Sequence, residues 1–320
     1  MTLPIRAGAP GARLLSVGDH RPDIVVTNDD LAARVDTNDA WIRTRTGIAS
    51  RRVAGADETV VSMGAAAAAK ALAASGRDAL DLDLVVLATC SITYPVPGGA
   101  ARVAHQLGAA RSGAVDVNAA CAGFCYALSW AADAIRSGSA RHILVVASER
   151  LSSIVDWDDR GTCILFGDGA GAAVVGPSDD AGIGPVIWGS DGSLTTSIEI
   201  PDGGTTIQMD GTAVYRWATT AMVDAARDAC AAAGVAPADL AAFLPHQANL
   251  RIVDSLARSL GIADDRVVRD VVDTGNTSAA SIPMALTRLV ESGRCDSGAP
   301  VLLLAFGAGL TYAGQVVTLP

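Results

Sequence analysis

The chain has 320 residues, half of them hydrophobic and 18% charged, with a formal net charge of −10. This composition excludes a disordered chain and supplies enough apolar material for one large domain or two smaller ones. The acidic balance argues against a nucleic-acid partner, because nucleic-acid-binding surfaces are basic. The N-terminus lacks the apolar run of a signal peptide, and no charge-free apolar segment approaches membrane-spanning length, so we expect a cytoplasmic protein without a membrane partner.

The cysteines do not form a pattern typical of disulfides or metal sites. The chain has six cysteines, which lie at scattered spacings, several within apolar runs. Cys121 and Cys125 form a C-x3-C pair without a second pair of ligands nearby in the sequence. The sequence therefore predicts neither a disulfide framework nor a bound metal.

Strand and helix patterns alternate along the first half of the chain. We predict that Asn28 caps one short helix and that Asp36 or Thr37 caps the next. The other predicted elements are a strand at 12–18, an Ala-rich helix at 59–75, a buried strand at 82–90, a helix ending at 107, a strand at 114–118, a helix from Cys121 and a buried strand at 141–147.

The pattern partly repeats from residue 183. The predicted elements there are strand GPVIWGS, a helix at 212–233, strand AAFLPH, a helix at 248–260 and two final strands, VLLLAF and LTYAGQVVTLP. Strands that alternate with helices predict an α/β protein with buried sheets. The similar order in both halves suggests an internal duplication, joined near 176–182.

The glycine-rich run FGDGAGAAVVGP at 166–177 has the G-x-G-x-G spacing of a dinucleotide-binding fingerprint. That fingerprint requires the glycines to follow a strand and to open a helix. Here they open a predicted strand, which argues against a nicotinamide cofactor.

Cys121 lies among alanine and glycine in DVNAACAGFCYAL, residues 116–128. Small neighbours let a substrate and the backbone approach the sulfur closely. A thiol in the first turn of a buried helix also lies near aligned N–H dipoles, which favour the thiolate. Alternatively, Cys121 is a small core hydrophobe, the commoner role of a free cysteine. The residue alone leaves both interpretations open.

Three further segments place polar groups or flexible backbone where core is expected. His246 follows the apolar strand in FLPHQANLR, Asn276 lies in DTGNTSAAS, and the AFGAGLTYAG turn exposes N–H groups. Taken singly, a structural histidine and a turn-forming asparagine are the ordinary interpretations. Together the segments fit one site for thioester chemistry. Backbone N–H groups of Cys121 and Ala308 would form an oxyanion hole, and His246 and Asn276 would donate to an enolate oxygen.

These motifs, with DTNDAWIRTRTGI and DRGTCILFGDGAGA, resemble β-ketoacyl-[acyl-carrier-protein] synthase III of the thiolase superfamily, in family order from near residue 12 to the C-terminus. The resemblance implies a duplicated thiolase fold with five layers, αβαβα, around two mixed β-sheets, and a homodimer. We expect a first half, 1–176, to carry the cysteine and a second half, 177–320, to carry the histidine and asparagine.

The resemblance also implies the reaction, a decarboxylative condensation of an acyl-CoA starter with malonyl-acyl carrier protein that initiates fatty-acid or polyketide synthesis. Cys121 would accept the acyl group, and His246 and Asn276 would stabilise the enolate formed as CO2 leaves. The amides of Cys121 and Ala308 would hold the oxyanion of the acyl-cysteine during attack. No metal or redox cofactor is implied.

The binding residues implied by the resemblance fall into two sets. In the family, Trp41 and Arg160 correspond to residues on either side of the CoA adenine, an arrangement suited to an indole and a guanidinium. The other implied CoA-binding residues are Thr37, Arg45, Gly161 and Asn249. The residues implied to dock the acidic carrier protein are Arg216, Arg251 and Arg258.

Two acyl-pocket positions depart from the commoner form of the family. Val96 stands where a phenylalanine from the partner subunit closes the pocket, and Leu310 replaces another phenylalanine. The smaller Val96 predicts tolerance of acyl groups longer than acetyl or branched, unless neighbouring side chains refill the space. Ala308 replaces a glycine but contributes only its N–H, provided that its backbone angles suit alanine.

Other functions remain open on the sequence alone. One is an acyltransferase of the same fold that passes the acyl group to an alcohol or amine, and another is a priming enzyme of a secondary-metabolite pathway. A thioester hydrolase would require the histidine beside the sulfur as a base. A carrier-binding scaffold with a structural cysteine would form no acyl adduct.

Overall fold

The computed structural model describes residues 7–94 and 96–320. Its first half contains β1 (Gly11–His20), β2 (Ile24–Thr27), α1 (Asn28–Ala32), α2 (Asp39–Thr46), β3 (Ser50–Val53), α3 (Val60–Ser75), β4 (Leu84–Ala88), α4 (Gly99–Leu107), β5 (Gly113–Val117), α5 (Gly123–Arg136), β6 (Ile143–Arg150) and β7 (Asp168–Ser178). Short 3-10 turns join several of these elements.

The second half contains β8 (Ile187–Gly189), β9 (Ile198–Glu199), β10 (Gln208–Met209), α6 (Gly211–Ala233), β11 (Ala242–Pro245), α7 (Leu250–Leu260), α8 (Val271–Thr274), α9 (Ser281–Glu291), β12 (Pro300–Phe306) and β13 (Tyr312–Thr318). The predicted boundary at residue 176 falls inside β7, which continues through Ser178 before the chain crosses to the second half.

Two mixed sheets have the same internal order. The first runs β1-β7-β6-β4-β5. Its β1–β7 and β7–β6 pairs are antiparallel, and its β6–β4 and β4–β5 pairs are parallel. The second runs β8-β13-β12-β11, antiparallel up to β12 and parallel from β12 to β11. A parallel bridge from Phe243 to Val267 stands where a fifth strand would continue it. The repeated order supports the predicted duplication.

The helices complete five layers. α3 and α4 cover the outer face of the first sheet, and α6 and α7 cover the outer face of the second. α5 and α9 lie between the sheets, and each contacts strands of both. The predicted αβαβα arrangement of an α/β fold is therefore confirmed. None of the helices in the described ranges combines the length and apolar character needed to cross a bilayer.

Small residues let the central helices approach the sheets closely. A Cβ placed on Gly171 of β7 would lie 2.7 Å from the backbone N of Met284 in α9, so only glycine fits there. The core between the sheets is built mainly from alanine, valine and leucine, with Phe124 the one buried aromatic residue of that cluster. This packing explains why a chain poor in aromatics still forms a dense interior.

The two predicted N-caps were wrong by one or two residues. Thr27 caps α1 and forms a capping box with Asp30, because the Asn28 side chain is occupied by Asp39, Ile48 O and Arg51. Asn38, rather than Asp36 or Thr37, caps α2 by accepting the Trp41 N–H at 2.8 Å. Tertiary partners, which the local sequence does not reveal, decide which side chain is free to cap.

An ion-pair cluster ties the first half to the second. The Arg21 guanidinium, beyond the end of β1, donates to Asp19, to Asp270 before α8 and to the Met284 carbonyl in α9. Asp270 is 2% exposed and also pairs with Arg288. Removal of one partner would leave buried charge without compensation, which is expensive.

We therefore expect Arg21→Ala to lower the free energy of unfolding by about 3 kcal/mol. Urea denaturation followed by circular dichroism measures the loss. The matched control is Arg34→Ala, which removes the solvent-exposed pair with Asp158 and should cost less than about 1 kcal/mol. Equal losses in the two variants would contradict a special role for the Arg21 cluster.

Candidate active site

The predicted catalytic residues converge on one cavity of about 700 Å³ between the two halves. Cys121, His246, Asn276 and Ala308 all contribute to its wall. The first comes from the turn before α5, and the other three follow β11, α8 and β12. A single cavity therefore contains the nucleophile and every donor that the sequence predicted.

Cys121 precedes its helix instead of beginning it. It lies in a 3-10 turn at Ala120–Ala122, and α5 starts at Gly123. Ala120 adopts a left-handed conformation with φ of 45°, which is uncommon for a residue with a side chain. Strain of this kind persists only where the surroundings enforce it, and here it turns the thiol toward the cavity.

The turn after β12 lies directly against the cysteine. A Cβ added to Gly307 would fall 2.7 Å from Cys121 Cβ and 3.0 Å from its sulfur. The N–H groups of Cys121 and Ala308 lie near enough to the sulfur to lower the pKa of the thiol. Ala308 is absent from the positive-φ residues of the described chain, whereas Gly309 and Leu310 adopt φ of 69° and 42°. The backbone angles of Ala308 therefore suit alanine, as the predicted oxyanion hole requires, and the left-handed conformations fall on its neighbours.

Burial determines the protonation of the thiol. Protein packed around Cys121 raises the pKa of its thiol to about 11, although hydrogen bonds from Ser278, Cys121 N–H and Ala308 N–H act in the opposite direction. Desolvation therefore raises the pKa of the thiol by more than the N–H dipoles, which the sequence suggested, lower it. At neutral pH the resting residue is a thiol, and its reaction requires a proton acceptor.

His246 is a neutral donor whose ring is oriented by a hydrogen bond to Ser281. It is 2% exposed, and its Nδ1 lies 2.7 Å from Ser281 Oγ, which also accepts the Gln247 N–H. We assign the Ser281 proton to this contact, which leaves the histidine proton on Nε2, facing the cavity. Burial lowers the pKa of His246 to about 3, so the ring stays uncharged at neutral pH.

Asn276 is oriented by its own turn. Its backbone pairs with the strand-like segment at Leu165–Gly167, and its Oδ1 accepts the Ser278 N–H at 2.8 Å. With Oδ1 occupied, the amide NH2 is the group left for the cavity. His246 and Asn276 therefore present two N–H donors, an arrangement suited to an oxygen that gains negative charge.

Most residues of the predicted CoA set surround the cavity mouth. Trp41, Arg45, Gly161 and Asn249 line it. The Arg45 and Arg160 guanidinium carbons lie 4.6 and 5.1 Å from the centre of a Trp41 ring. A base between Trp41 and Arg160 requires two van der Waals separations, about 7 Å, so Arg160 would have to move outward.

Two members of the CoA set, Asn249 and Thr37, differ in their hydrogen bonding. Asn249 caps α7 and donates to the Arg45 carbonyl at 3.1 Å, which joins the second half to the Trp41 segment. The Thr37 hydroxyl is buried and has no hydrogen-bond partner within the described residues.

The three arginines predicted to dock a carrier are exposed on α6 and α7. Arg251 lines the cavity, and its guanidinium lies 5.1 Å from the Tyr215 ring, next to Arg216 in α6. Arg258 lies two turns further along α7. None of the three forms a salt bridge within residues 7–94 and 96–320.

The two predicted acyl-pocket residues do not line the cavity of this chain. Val96 is 80% exposed in the connection between β4 and α4. Leu310 is buried behind the Ala308 turn, at 1% exposure. Among the described residues, no cluster of histidine, cysteine or acidic side chains could hold a metal ion.

Sequence reasoning missed several polar residues of the site. Ser281 supports His246, and Ser278 and Glu149 lie on the other side of Cys121. One signal was present for Glu149, which lies next to the end of the strand ILVVASER, after an apolar run of five residues. An acid at the carboxyl end of a buried parallel strand lies where α/β proteins place their sites.

The neutral state of His246 can be observed directly. Its lowered pKa means that the folded protein does not take up this proton as the pH falls from 8 to 5, whereas the unfolded chain does so near 6.5. We expect its imidazole NMR signals to stay constant over that range, with His246→Ala to assign them. Burial of the neutral ring also costs stability progressively below pH 6.5. A titration midpoint near 6.5 would contradict this assignment.

Comparison with known proteins supports the geometry. Family models described as 3-oxoacyl-[acyl-carrier-protein] synthase III and its C-terminal part match residues 115–192 and 230–319. The chain is 51% identical to β-ketoacyl-[acyl-carrier-protein] synthase III 4 of Streptomyces coelicolor, over 97% of this chain and 99% of that protein. It is 45% identical to the mycobacterial synthase III of Mycobacterium avium, over 98% and 97%.

Solved structures give the same result. The priming β-ketosynthase of a polyketide biosynthetic pathway superimposes with a TM-score of 0.96 at 48% identity, covering 100% of this chain and 98% of that one. The 3-oxoacyl-[acyl-carrier-protein] synthase III of Aquifex aeolicus gives 0.93 at 40% identity, over 96% and 100%. The protein therefore belongs to the β-ketoacyl-[acyl-carrier-protein] synthase III family of thiolase-fold condensing enzymes.

Proposed function

We propose that this enzyme condenses an acyl-CoA starter with malonyl-acyl carrier protein through an acyl-Cys121 intermediate. As a family member it is an acyltransferase that performs the initiating condensation of fatty-acid or polyketide synthesis. The observation that carries the detailed proposal is the convergence of Cys121, His246, Asn276 and the Ala308 N–H on one cavity.

The first half-reaction transfers the acyl group to the enzyme. The Cys121 sulfur attacks the thioester carbonyl, and the N–H groups of Cys121 and Ala308 stabilise the oxyanion. The bond from the carbonyl carbon to the CoA sulfur then breaks, and CoA leaves with a proton as a free thiol. The bonds made and broken are both carbon–sulfur bonds, so the step is nearly balanced.

The second half-reaction uses the donors of His246 and Asn276, which line the same cavity. The malonyl carbon–carbon bond breaks, CO2 leaves, and the thioester oxygen gains negative charge next to the donors of His246 and Asn276. The enolate carbon attacks the acyl-Cys121 carbonyl and displaces the Cys121 sulfur. Neither step changes an oxidation state and the N–H donors supply the charge stabilisation, so we propose no metal or redox cofactor.

The cavity mouth supports the CoA assignments. Trp41 offers an aromatic face, and Arg45 and Arg160 place two cationic groups around it for a base and its phosphates. Thr37, Gly161 and Asn249 complete the proposed CoA-binding set. CoA and carrier-protein thioesters fit the cytoplasmic location that the sequence predicts.

Arg216, Arg251 and Arg258 form the proposed carrier-docking patch. They are exposed and lie on the adjacent helices α6 and α7, and Arg251 lines the cavity that a carrier-bound malonyl group must enter. A local cationic patch allows a chain with net charge −10 to attract an acidic partner.

We also propose a homodimer built on β5. This strand is the edge of the first sheet, and Val115 within it is 46% exposed, a surface that proteins usually cover. Asp116 of β5 accepts the Gly99 and Ala100 N–H groups at 2.7 Å, which holds the segment that carries Val96 beside this edge. Val96 would then face the acyl pocket of the partner.

A priming role in polyketide synthesis is the second candidate. It is favoured by the superposition on a priming β-ketosynthase and by the small Val96 side chain. The catalytic steps are the same, and only the starter acyl group and the pathway differ.

Separate assays of the two half-reactions test the residue roles. Cys121→Ala should form no acyl adduct on incubation with acyl-CoA, as measured by intact-protein mass spectrometry. His246→Ala and Asn276→Ala should acylate nearly as well as wild type but decarboxylate malonyl-acyl carrier protein at least about 100-fold more slowly, because each loses a donor to the enolate. Normal rates of both steps in either variant would refute its assigned role.

Competition between starters tests the Val96 proposal. We expect acylation by isobutyryl- and hexanoyl-CoA to rival acetyl-CoA in wild type, because valine leaves more room than phenylalanine. The matched variant Val96→Phe should lower the ratio of hexanoyl to acetyl transfer by about tenfold or more. A strong acetyl preference in wild type, or an unchanged ratio in Val96→Phe, would contradict the proposal.

A further inference from the structure

Glu149 is a buried carboxylate beside the cavity for which the reaction described above has no use. It is 0% exposed at the carboxyl end of β6. Its oxygens accept the Ser91 hydroxyl at 2.5 Å, the Thr89 hydroxyl at 3.1 Å and the Cys90 N–H at 3.2 Å. Burial of a carboxylate costs free energy, and this one lies directly behind Cys90, which lines the cavity.

The hydrogen-bond donors around Glu149 favour its ionised form. Ser91 Oγ already accepts the Arg150 N–H, and Thr89 Oγ1 accepts the Ser91 N–H, so both hydroxyl protons point to Glu149. A partner shell made of donors stabilises the ionised carboxylate. Burial nevertheless raises the pKa of Glu149 above its usual range, which makes it a better proton acceptor than an exposed glutamate.

Ser278 connects Glu149 to the nucleophile. It follows the Asn276 turn, with its N–H on Asn276 Oδ1 and its backbone at φ of 48°. Its hydroxyl acts as a nearby donor that lowers the pKa of both the Cys121 thiol and the Glu149 carboxyl. It also lies 3.5 Å from Cys90 Sγ, which is 3.4 Å from Glu149 Oε1. A strained backbone thus holds a hydroxyl between a thiol and a carboxylate.

The other titratable groups nearby do not offer the same route. The pKa of Cys90 is raised by burial, and its thiol donates to Glu149. Arg150, next along the strand, points to the opposite face, with its guanidinium 3.5 Å from the Gly55 carbonyl. His246 holds its proton on Nε2 and has a pKa of about 3, so it is a poor acceptor for the Cys121 proton.

We propose that Glu149 accepts the Cys121 proton through the Ser278 hydroxyl during acylation. The Cys121 S–H bond breaks as its proton passes to Ser278 Oγ, and the Ser278 proton passes to Glu149. The sulfur forms its bond to the acyl carbon, the carbon–sulfur bond to CoA breaks, and the proton returns by the same route to the leaving CoA sulfur. Glu149 and Ser278 end the step unchanged.

This inference rests on the proposed function, since it assigns the proton of the proposed acylation step. Glu149 acts through Ser278 and touches no reacting atom, so loss of rate alone would not separate a proton route from a packing role. The pH dependence does separate them, because only loss of the acceptor makes acylation depend on removal of the thiol proton by solvent.

The test is single-turnover acylation with acetyl-CoA from pH 6 to 9, followed by intact-protein mass spectrometry. Wild type should give a nearly flat profile. Glu149→Gln should acylate about 100-fold more slowly at pH 7 and rise about tenfold per pH unit, as expected on loss of a general base. Ser278→Ala, which keeps the carboxylate, should behave in the same way, and it carries the test if Glu149→Gln does not fold.

Asp168→Asn is the matched control. Asp168 is also 0% exposed and accepts the Ala54 and Ser152 N–H groups and the Ser152 hydroxyl, whereas Glu149 accepts from Cys90, which lines the cavity. Its variant should keep the flat profile. Decarboxylation of malonyl-acyl carrier protein should change less than threefold in Glu149→Gln.

Other outcomes have distinct meanings. A wild-type rate in Glu149→Gln, or a slower rate with an unchanged flat profile, would overturn the proton route and leave the proposed function intact. Failure of wild type to form any Cys121 adduct would overturn the proposed function and the proton route with it.

Discussion

The active site depends on contact between two backbone turns from opposite halves of the chain. The turn before α5 presents Cys121, and the turn after β12 lies so close to it that only glycine fits at Gly307. This approach brings the Ala308 N–H to the sulfur, where an oxyanion will form. Left-handed backbone at Ala120 and Leu310 shows that both turns are held by their surroundings.

The layered fold supplies that rigidity. α5 and α9 lie between two sheets of the same internal order, so the strand ends of both halves meet at one edge. One half contributes the proposed nucleophile, Cys121, and the other contributes the proposed donors and the second turn. Glycine and alanine in the central layer allow close approach of helix and sheet, and the Arg21 cluster fixes the halves to each other.

Desolvation divides the chemistry between the residues of the site. Desolvation disfavours the charged form of a side chain, so it keeps Cys121 protonated and His246 neutral. A neutral histidine suits donation to an enolate and is ill suited to removal of a thiol proton. Burial raises the pKa of Glu149 while donors from Ser91 and Thr89 favour its charged form.

The sequence by itself determined the elements and the main chemistry, because apolar periodicity and motif order are local properties. The strands and long helices, the α/β layers and the cavity residues Cys121, His246 and Asn276 could all be predicted. Tertiary structure decided what depends on neighbours distant in sequence. In the structure Thr27 and Asn38 cap the helices, Cys121 lies before its helix, and burial keeps its thiol protonated. Tertiary structure also brought Thr89, Glu149 and Ser278 together, because no spacing along the chain encodes a hydrogen bond between residues 60 to 190 positions apart.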